Sequence, residues 1–286
     1  MLHLLCQLAA SGTSLVLLGT GMPRPNPEAS GPATAVVVGT RTFLFDAGAG
    51  VMRQLAAAKL PINGVTALFI THLHSDHTLG LPDLMLTSWV MGRRTPMVAF
   101  GPHGLQAMTD HLVAAWKDDI DIREHGLEQE APGGYRLDVH EISTRVLYDS
   151  AGVRIIAIPV EHGDWPEAYG FRIETPGRVI VISGDTRYSA ALQAATRGAD
   201  ILVHEAYPEV RLAPEKRPGG ESWPAYMRAF HTSDVEVGRL AAVAQPKLLI
   251  LHHLVRMQGT DAELLAGVRR GGFTGRTVIG HDLERY

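Results

Sequence analysis

Within FITHLHSDHTLGLPDL, residues 69–84, four residues of metal-ligand type fall in six positions: His72, His74, Asp76 and His77. Neutral imidazole and carboxylate both suit a borderline divalent ion such as zinc. A loop at a strand end can aim several such side chains at one point, and the apolar run 65–70 just before them reads as a buried strand. A polar loop that merely happens to be histidine-rich is the plain alternative. The order H-x-H-x-D-H argues against it. Three more candidates follow apolar runs in the same way: His162 after RIIAIPV, Asp185 closing RVIVISGD and His253 closing LLILHH. Taken singly, Asp185 could start a turn and His162 could cap a loop. Together the seven suffice for two metals with a shared carboxylate and a bridging water.

These residues need a scaffold that gathers them, and the chain reads as one. Strands are expected at 14–19, 34–40, 41–46, 65–71, 97–101, 154–160, 168–175, 178–185, 200–206, 247–253 and 276–280. Helices are expected at 50–59, 79–91, 103–117, 188–197, 232–244 and 260–269. Ser233 is a cap for the helix at 232–244, with Asp234 and Glu236 in its first turn. Interleaved strands and helices predict mixed sheets covered by helices, with the ligand-type residues at a carboxyl edge. Pairs 34–40 with 41–46, and 168–175 with 178–185, look like hairpins. The stretch 207–230 carries Pro, Gly, charge and aromatics, and reads as a long loop of the lid or binding type.

Composition narrows the chemistry. With 286 residues, the chain suits one large α/β domain or two small ones. Its one cysteine, Cys6, allows no intramolecular disulfide and no cysteine-rich zinc site, so nitrogen and oxygen must hold any metal. The net charge of −4 gives no global basic field, although a local basic patch is compatible with it. No run approaches the ~20 apolar residues of a membrane span. The opening MLHLLCQLAASG is short and apolar, with a small-residue end. It reads either as an extension of the domain or as a signal-peptide remnant. Residues 1–13 are therefore set apart from a domain at 14–286. The first reading places the protein in the cytoplasm, the second in the periplasm or outside the cell.

The series THLHSDH, a distant histidine, SGDT and a late strand ending in histidine resembles the metallo-β-lactamase superfamily of binuclear metallohydrolases. LGTGMPRPNPEASGPATAVVVG and LFDAGAG add to the likeness. LVHEAY at 202–207 and HTSDVEVGRLA at 231–241 are similar to the ribonuclease Z and arylsulfatase-like branch. The resemblance runs from about residue 14 to near the end of the chain. It implies an α/β fold of the αββα sandwich type, two mixed β-sheets flanked by helices. It also implies that His72, His74 and His162 hold one metal, that Asp76, His77 and His253 hold the other, and that Asp185 bridges them. His252 competes with His253, because alternation in a strand lets only one of two neighbours face the metals. The branch's pattern favours His253.

Two divalent ions are implied, zinc first, with manganese or iron also compatible. A water shared by ions ~3.5–4 Å apart loses a proton near neutral pH and attacks the ester. Asp76 is counted with the catalytic residues as well as with the ligands. His231 is implied as proton donor to the leaving group, steadied by Glu205, whose charge is expected to favour the protonated imidazole. Asp46 is implied to brace the site from behind, or else to make only a structural turn.

For the substrate, His162 and Ser183 are separated only by GDWPEAYGFRIETPGRVIVI, which leaves room for a hairpin and no tRNA-clamping arm. The acidic charge, and Arg24 as the sole base of PRPNPEASGPAT, point the same way. The expectation is hydrolysis of a phosphodiester or phosphotriester of a small aryl or apolar substrate. Aryl sulfate comes second, tRNA 3′-processing third, and a β-lactam or lactone last. Nucleic acid is not expected as a partner, and a homodimer is compatible with the branch. Trp165, Trp223 and Tyr226 are expected to line the substrate pocket, whereas Trp89 reads as core.

Overall fold

Apolar residues alternate along most strands, and the two sets they form face different layers. In the computed structural model, which describes residues 12–286, Leu15 and Leu17 of the first strand face a core shared with Phe171, Ile180 and Ile250. Their neighbours Val16 and Leu18 face a second core beneath helices. Residues 1–11, where the leader-or-extension reading falls, lie outside the described residues.

The first sheet runs β1 (Thr13–Gly19), β2 (Ala33–Val38), β3 (Arg41–Phe45), β4 (Val65–Phe69), β5 (Met97–Gly101) and β6 (Leu137–Glu141), in that order. Its first three strands are antiparallel and the rest parallel. The second sheet holds β7 (Val146–Ser150), β8 (Val153–Val160), β9 (Ala168–Glu174), β10 (Val179–Ile182), β11 (Ile201–Ala206), β12 (Leu248–Leu254) and β13 (Arg276–Ile279), ordered from β13 back to β7. Strands β7 to β10 pair antiparallel, and β10 to β13 pair parallel.

Helices α1 (Val51–Ala57), α2 (Ser75–Thr78), α3 (Leu81–Val90), α4 (Leu105–Ala115) and α5 (Lys117–His125) follow strands of the first sheet. Helices α6 (Ala190–Thr196), α7 (Trp223–Phe230), α8 (Asp234–Ala244) and α9 (Asp261–Arg270) follow the second. The αββα sandwich is thus the observed fold. Between the sheets Phe45 stacks on Phe69 at 5.1 Å, and Phe171 meets both from the opposite sheet. Such aromatic pairs contribute ~0.5–1.5 kcal/mol each beyond their buried area. Trp89 is fully buried and its indole N–H reaches the Ala131 carbonyl, so it is core as read.

Three departures from the sequence reading have physical causes. β6 and β7 are not expected from the sequence: β6 alternates with polar residues and has little apolar content, and β7 has no fully buried residue. The helix expected at 103–117 ends at Ala115, and α5 continues after a break at Trp116. The loop expected at 207–230 ends in a helix, α7, with Pro224 in its first turn. The other expectations that position the site hold. β9 turns into β10 within 175–178, where Thr175 and Arg178 exchange hydrogen bonds, so no arm is inserted. α8 carries a complete capping box of Ser233 and Glu236. Among the described residues no helix is long and apolar enough to cross a membrane.

The turn after β3 is laced to the loop after β4. The Ala47 amide donates to the His77 carbonyl, and the Gly80 amide to the Ala47 carbonyl. Gly48 sits between them, and a Cβ there would meet the Asp76 carbonyl at 2.6 Å and the backbone of Gly31 at 2.3 Å. Backbone cannot swing aside as a flexible side chain can. Gly48→Ala should therefore cost about 1–3 kcal/mol or more, read as a lowered thermal midpoint. An unchanged midpoint would show that this turn does not constrain the loop.

Candidate metal centre

Asp46 closes β3 in a left-handed conformation, φ 59°, which Asp tolerates better than most residues. Its carboxylate accepts from the Thr71 amide at 2.8 Å, the Thr71 hydroxyl at 2.9 Å and His77 Nδ1–H at 2.8 Å. One side chain thereby holds both ends of the 71–77 loop. With Nδ1 donating, the bare Nε2 of His77 is turned inward. It is buried, lacks a hydrogen-bond partner among the described residues, and lies 3.5 Å from Asp185 Oδ1 and 3.6 Å from Asp76 Oδ2.

The same logic sets the other rings. His72 places Nδ1 2.9 Å from the Thr71 hydroxyl, and His162 Nδ1–H donates to the Phe230 carbonyl at 2.6 Å. Both Nε2 atoms then face inward, 2.9 Å and 3.0 Å from Nδ1 of His74. On its outer side His74 Nε2 accepts the Trp165 indole N–H at 2.7 Å. A neutral imidazole has one lone pair, so His74 carries its proton on Nδ1 and shares it with the two facing nitrogens.

His253 reaches the cluster through a bulge. Glu205 pairs with His252 and Ala206 with Leu254, so His253 is the extra residue, at φ 45°. Its Nε2 is 3.2 Å from Asp76 Oδ2, and its Nδ1 is 3.6 Å from Asp185 Oδ1. The bulge, rather than plain alternation, separates the two neighbours. His252 is buried outside the ligand groups, and burial takes its pKa down to about 3. His204 also stays outside, donating Nδ1–H to the Glu205 carbonyl.

Among the described residues, three groups place ligand atoms within 4.8 Å of one another: His72, His74, His162 with Asp185; Asp76, His77 with His253; and Asp185, Glu205 with His253. Asp185 therefore touches both histidine sets. Burial drives His72 well below its ordinary value and takes His74 and His162 to about 4, so these rings are neutral and ready to ligate. Burial also opposes charge on Asp185, but His253 and His77 outweigh it and hold the carboxyl well below the usual range. At His77 burial is in turn outweighed by Asp185 and Asp46, which raise its pKa. The carboxylates call for positive charge here, which a proton or a divalent ion can supply. The unpartnered Nε2 of His77 and Nδ1 of His253, with a donor set of only N and O, fit a divalent ion.

Beside the cluster, His231 Nδ1 lies 2.7 Å from Glu205 Oε2, and Glu205 Oε1 accepts the Thr186 amide at 2.7 Å. Burial lowers the His231 pKa and raises that of Glu205 well above the carboxylate range.

The aromatic candidates separate. Trp165 touches His74, and Tyr226 lies 6.1 Å from the His231 ring. Trp223 is one step farther out, stacked on Tyr226 at 5.2 Å and lining a neighbouring cavity. Phe230, stacked on Tyr226 and edge-on to His162, was not anticipated, nor was Thr71. Neither belongs to a ligand type, and only contact across the fold marks them.

The comparisons agree with this geometry. A family model described as a beta-lactamase superfamily domain matches residues 41–254. Ribonuclease Z of Mycobacterium sp. (strain KMS) is 35% identical, over 95% of this chain and 94% of that protein. Ribonuclease Z of Mycobacterium bovis (strain BCG / Pasteur 1173P2) is 33% identical, over 95% and 96%. The metallo-beta-lactamase fold protein YhfI of Bacillus subtilis superposes with a TM-score of 0.74 at 18% identity, covering 96% of this chain and 98% of that one. The short form of human tRNase Z gives 0.70 at 21%, covering 96% and 98%. The two structures speak to the fold alone. The mycobacterial relatives overturn one inference: proteins named ribonuclease Z match this chain end to end, so a missing arm does not set it apart from them. The chain belongs to the metallo-β-lactamase superfamily, in its ribonuclease Z-like branch, and is a metal-dependent hydrolase.

Proposed function

We propose that this enzyme cleaves phosphodiester bonds of RNA, with 3′-processing of tRNA as the leading case. The observation that carries the reaction class is the meeting of two histidine sets at Asp185, with the His231–Glu205 pair alongside. The mycobacterial relatives' name supports RNA as substrate, against the expectation of a small aryl ester and no nucleic acid.

In this reading His72, His74 and His162 hold one divalent ion, Asp76, His77 and His253 hold a second, and Asp185 serves both. Zinc is the first choice. Such ions acidify a water and draw charge from the phosphoryl oxygens. The protein supplies the rest. Asp46 and Thr71 fix ring orientation. His231 gives its Nε2 proton to the departing oxygen while its Nδ1 keeps the proton that it shares with Glu205. Residues 14–286 act as one catalytic domain, to which Thr13, the first residue of β1, also belongs.

His231→Ala should slow cleavage of a dinucleotide, a poor leaving group, by about 10²–10⁴-fold. The loss should be far smaller for bis(p-nitrophenyl) phosphate, whose leaving group needs no proton. Equal losses on both substrates would remove His231 from the donor role. His74→Ala should lower bound zinc, measured by atomic absorption, and abolish turnover of both substrates. Full zinc content with full activity would refute the ligand assignment.

Trp165 gives a separate test. An ion at the first set needs the Nδ1 lone pair of His74, which moves the ring proton to Nε2, where the indole N–H stands. Trp165→Phe removes that competing hydrogen bond, worth about 0.5–1.5 kcal/mol. Zinc affinity, measured against a chelating dye, should rise up to roughly tenfold by the same estimate. Unchanged or weaker binding would show that the indole does not oppose loading.

A further inference from the structure

Outside the metal centre, the carboxylate of Asp282 accepts four hydrogen bonds. The Thr20 amide and the Thr20 hydroxyl both donate to Oδ1 at 2.8 Å. The Ser30 amide donates to Oδ2 at 2.7 Å, and Gln54 Nε2 donates to it at 2.6 Å. An ionised carboxylate has about four lone-pair sites, so this one is fully used. Its donors belong to the residue after β1, to the far end of the loop 20–30 and to α1. Asp282 is itself held on both sides. The Gly280 amide donates to the Leu251 carbonyl at 2.8 Å, and the Leu283 amide to the Leu17 carbonyl at 2.6 Å. Tyr286 and Leu15 exchange two further backbone bonds.

Thr20 carries this constraint to the metal centre. Its carbonyl accepts the His253 amide at 3.1 Å. His253 is the extra residue of the bulge, so its amide has no place in the ladder with β11. The residue is 1% exposed, so water does not replace that acceptor. A buried amide without a partner is costly. The left-handed backbone of His253 therefore depends on where the Thr20 carbonyl stands. A bulge re-aims its side chain, and here it brings Nε2 to 3.2 Å from Asp76 Oδ2.

We propose that Asp282 is a positioning residue for the divalent ion held by Asp76, His77 and His253. It acts through Thr20, and its own hydrogen bonds all go to residues outside the ligand set. The proposal rests on the two-ion reading and extends it to the segment 280–286. The other ion is served differently. His72 and His162 are oriented by Thr71 and the Phe230 carbonyl. A residue that only stabilised the fold would loosen both ions alike, whereas one that acts through the His253 amide loosens one.

The test is zinc affinity, measured against a chelating dye, in the native protein and in two backgrounds. His74→Ala keeps the set of Asp76, His77 and His253, and His253→Ala keeps the set of His72, His74 and His162. Asp282→Asn preserves side-chain size but turns one acceptor oxygen into a donor. In the His74→Ala background it should weaken zinc about 10–100-fold, the usual range for groups behind a metal ligand. In the His253→Ala background it should change nothing. Gln54→Glu sets a second carboxylate against Asp282 and should weaken the same ion. Joined to Asp282→Asn, it gives the new amide N–H an acceptor and should recover part of the loss.

Equal losses in the two backgrounds make Asp282 merely structural and overturn the proposal. Unchanged affinity in both overturns it too, and keeps the metal centre. Where Asp282→Asn does not fold, Gln54→Glu decides by the same comparison. A native protein that takes up no zinc refutes the metal reading itself, and the proposal falls with it.

Discussion

The carboxylate of Asp185 is buried where the two sheets end together, and a charge so placed is tolerated only beside opposite charge. That constraint organises the site. His77 and His253 face it at 3.5 Å and 3.6 Å, and His162 Nε2 lies 4.0 Å from its other oxygen. Each of these rings is turned toward it by a contact on the ring's far side or by its backbone. Asp46 holds His77, the Phe230 carbonyl holds His162, and a bulge carries His253. The demand for positive charge at this point is the physical basis of metal dependence in this chain.

Meeting that demand strains the backbone at two places. Asp46 and His253 both adopt left-handed φ values, 59° and 45°, and both serve the centre. Such residues cost about 1–3 kcal/mol each and persist only where surrounding structure over-determines them. Here the over-determination is visible. Asp46 is tied to Thr71 and His77, and His253 is bracketed by the Thr20 carbonyl on its amide and by β11 on its flank. The sandwich core, with Phe45, Phe69 and Phe171 in mutual contact, supplies the rigid frame on which these turns are drawn.

Substrate inference shows how a global property can mislead. An acidic chain without an inserted arm reads as unsuited to RNA, yet relatives named ribonuclease Z align with it over nearly their whole length. Electrostatic recognition acts over about one Debye length, ~8 Å at physiological salt. The sum of charge over the whole surface is therefore a weak guide to the substrate.

The sequence by itself determined the fold class and all seven ligand-type residues that gather at the centre, because their identity and position after apolar runs are local signals. It also pointed to Glu205 and His231 through their motifs. It missed β6, whose half-wet alternation carries little apolar signal, β7, which has no fully buried residue, and α7, which it read as loop. Tertiary structure alone decided the direction of each ring, since that depends on Thr71, Phe230 and Trp165 reaching in from elsewhere. It decided His253 over His252 through a bulge rather than through strand alternation. It also set the burial that lowers the His231 pKa and raises that of Glu205, because burial is a property of packed surroundings and not of residue order.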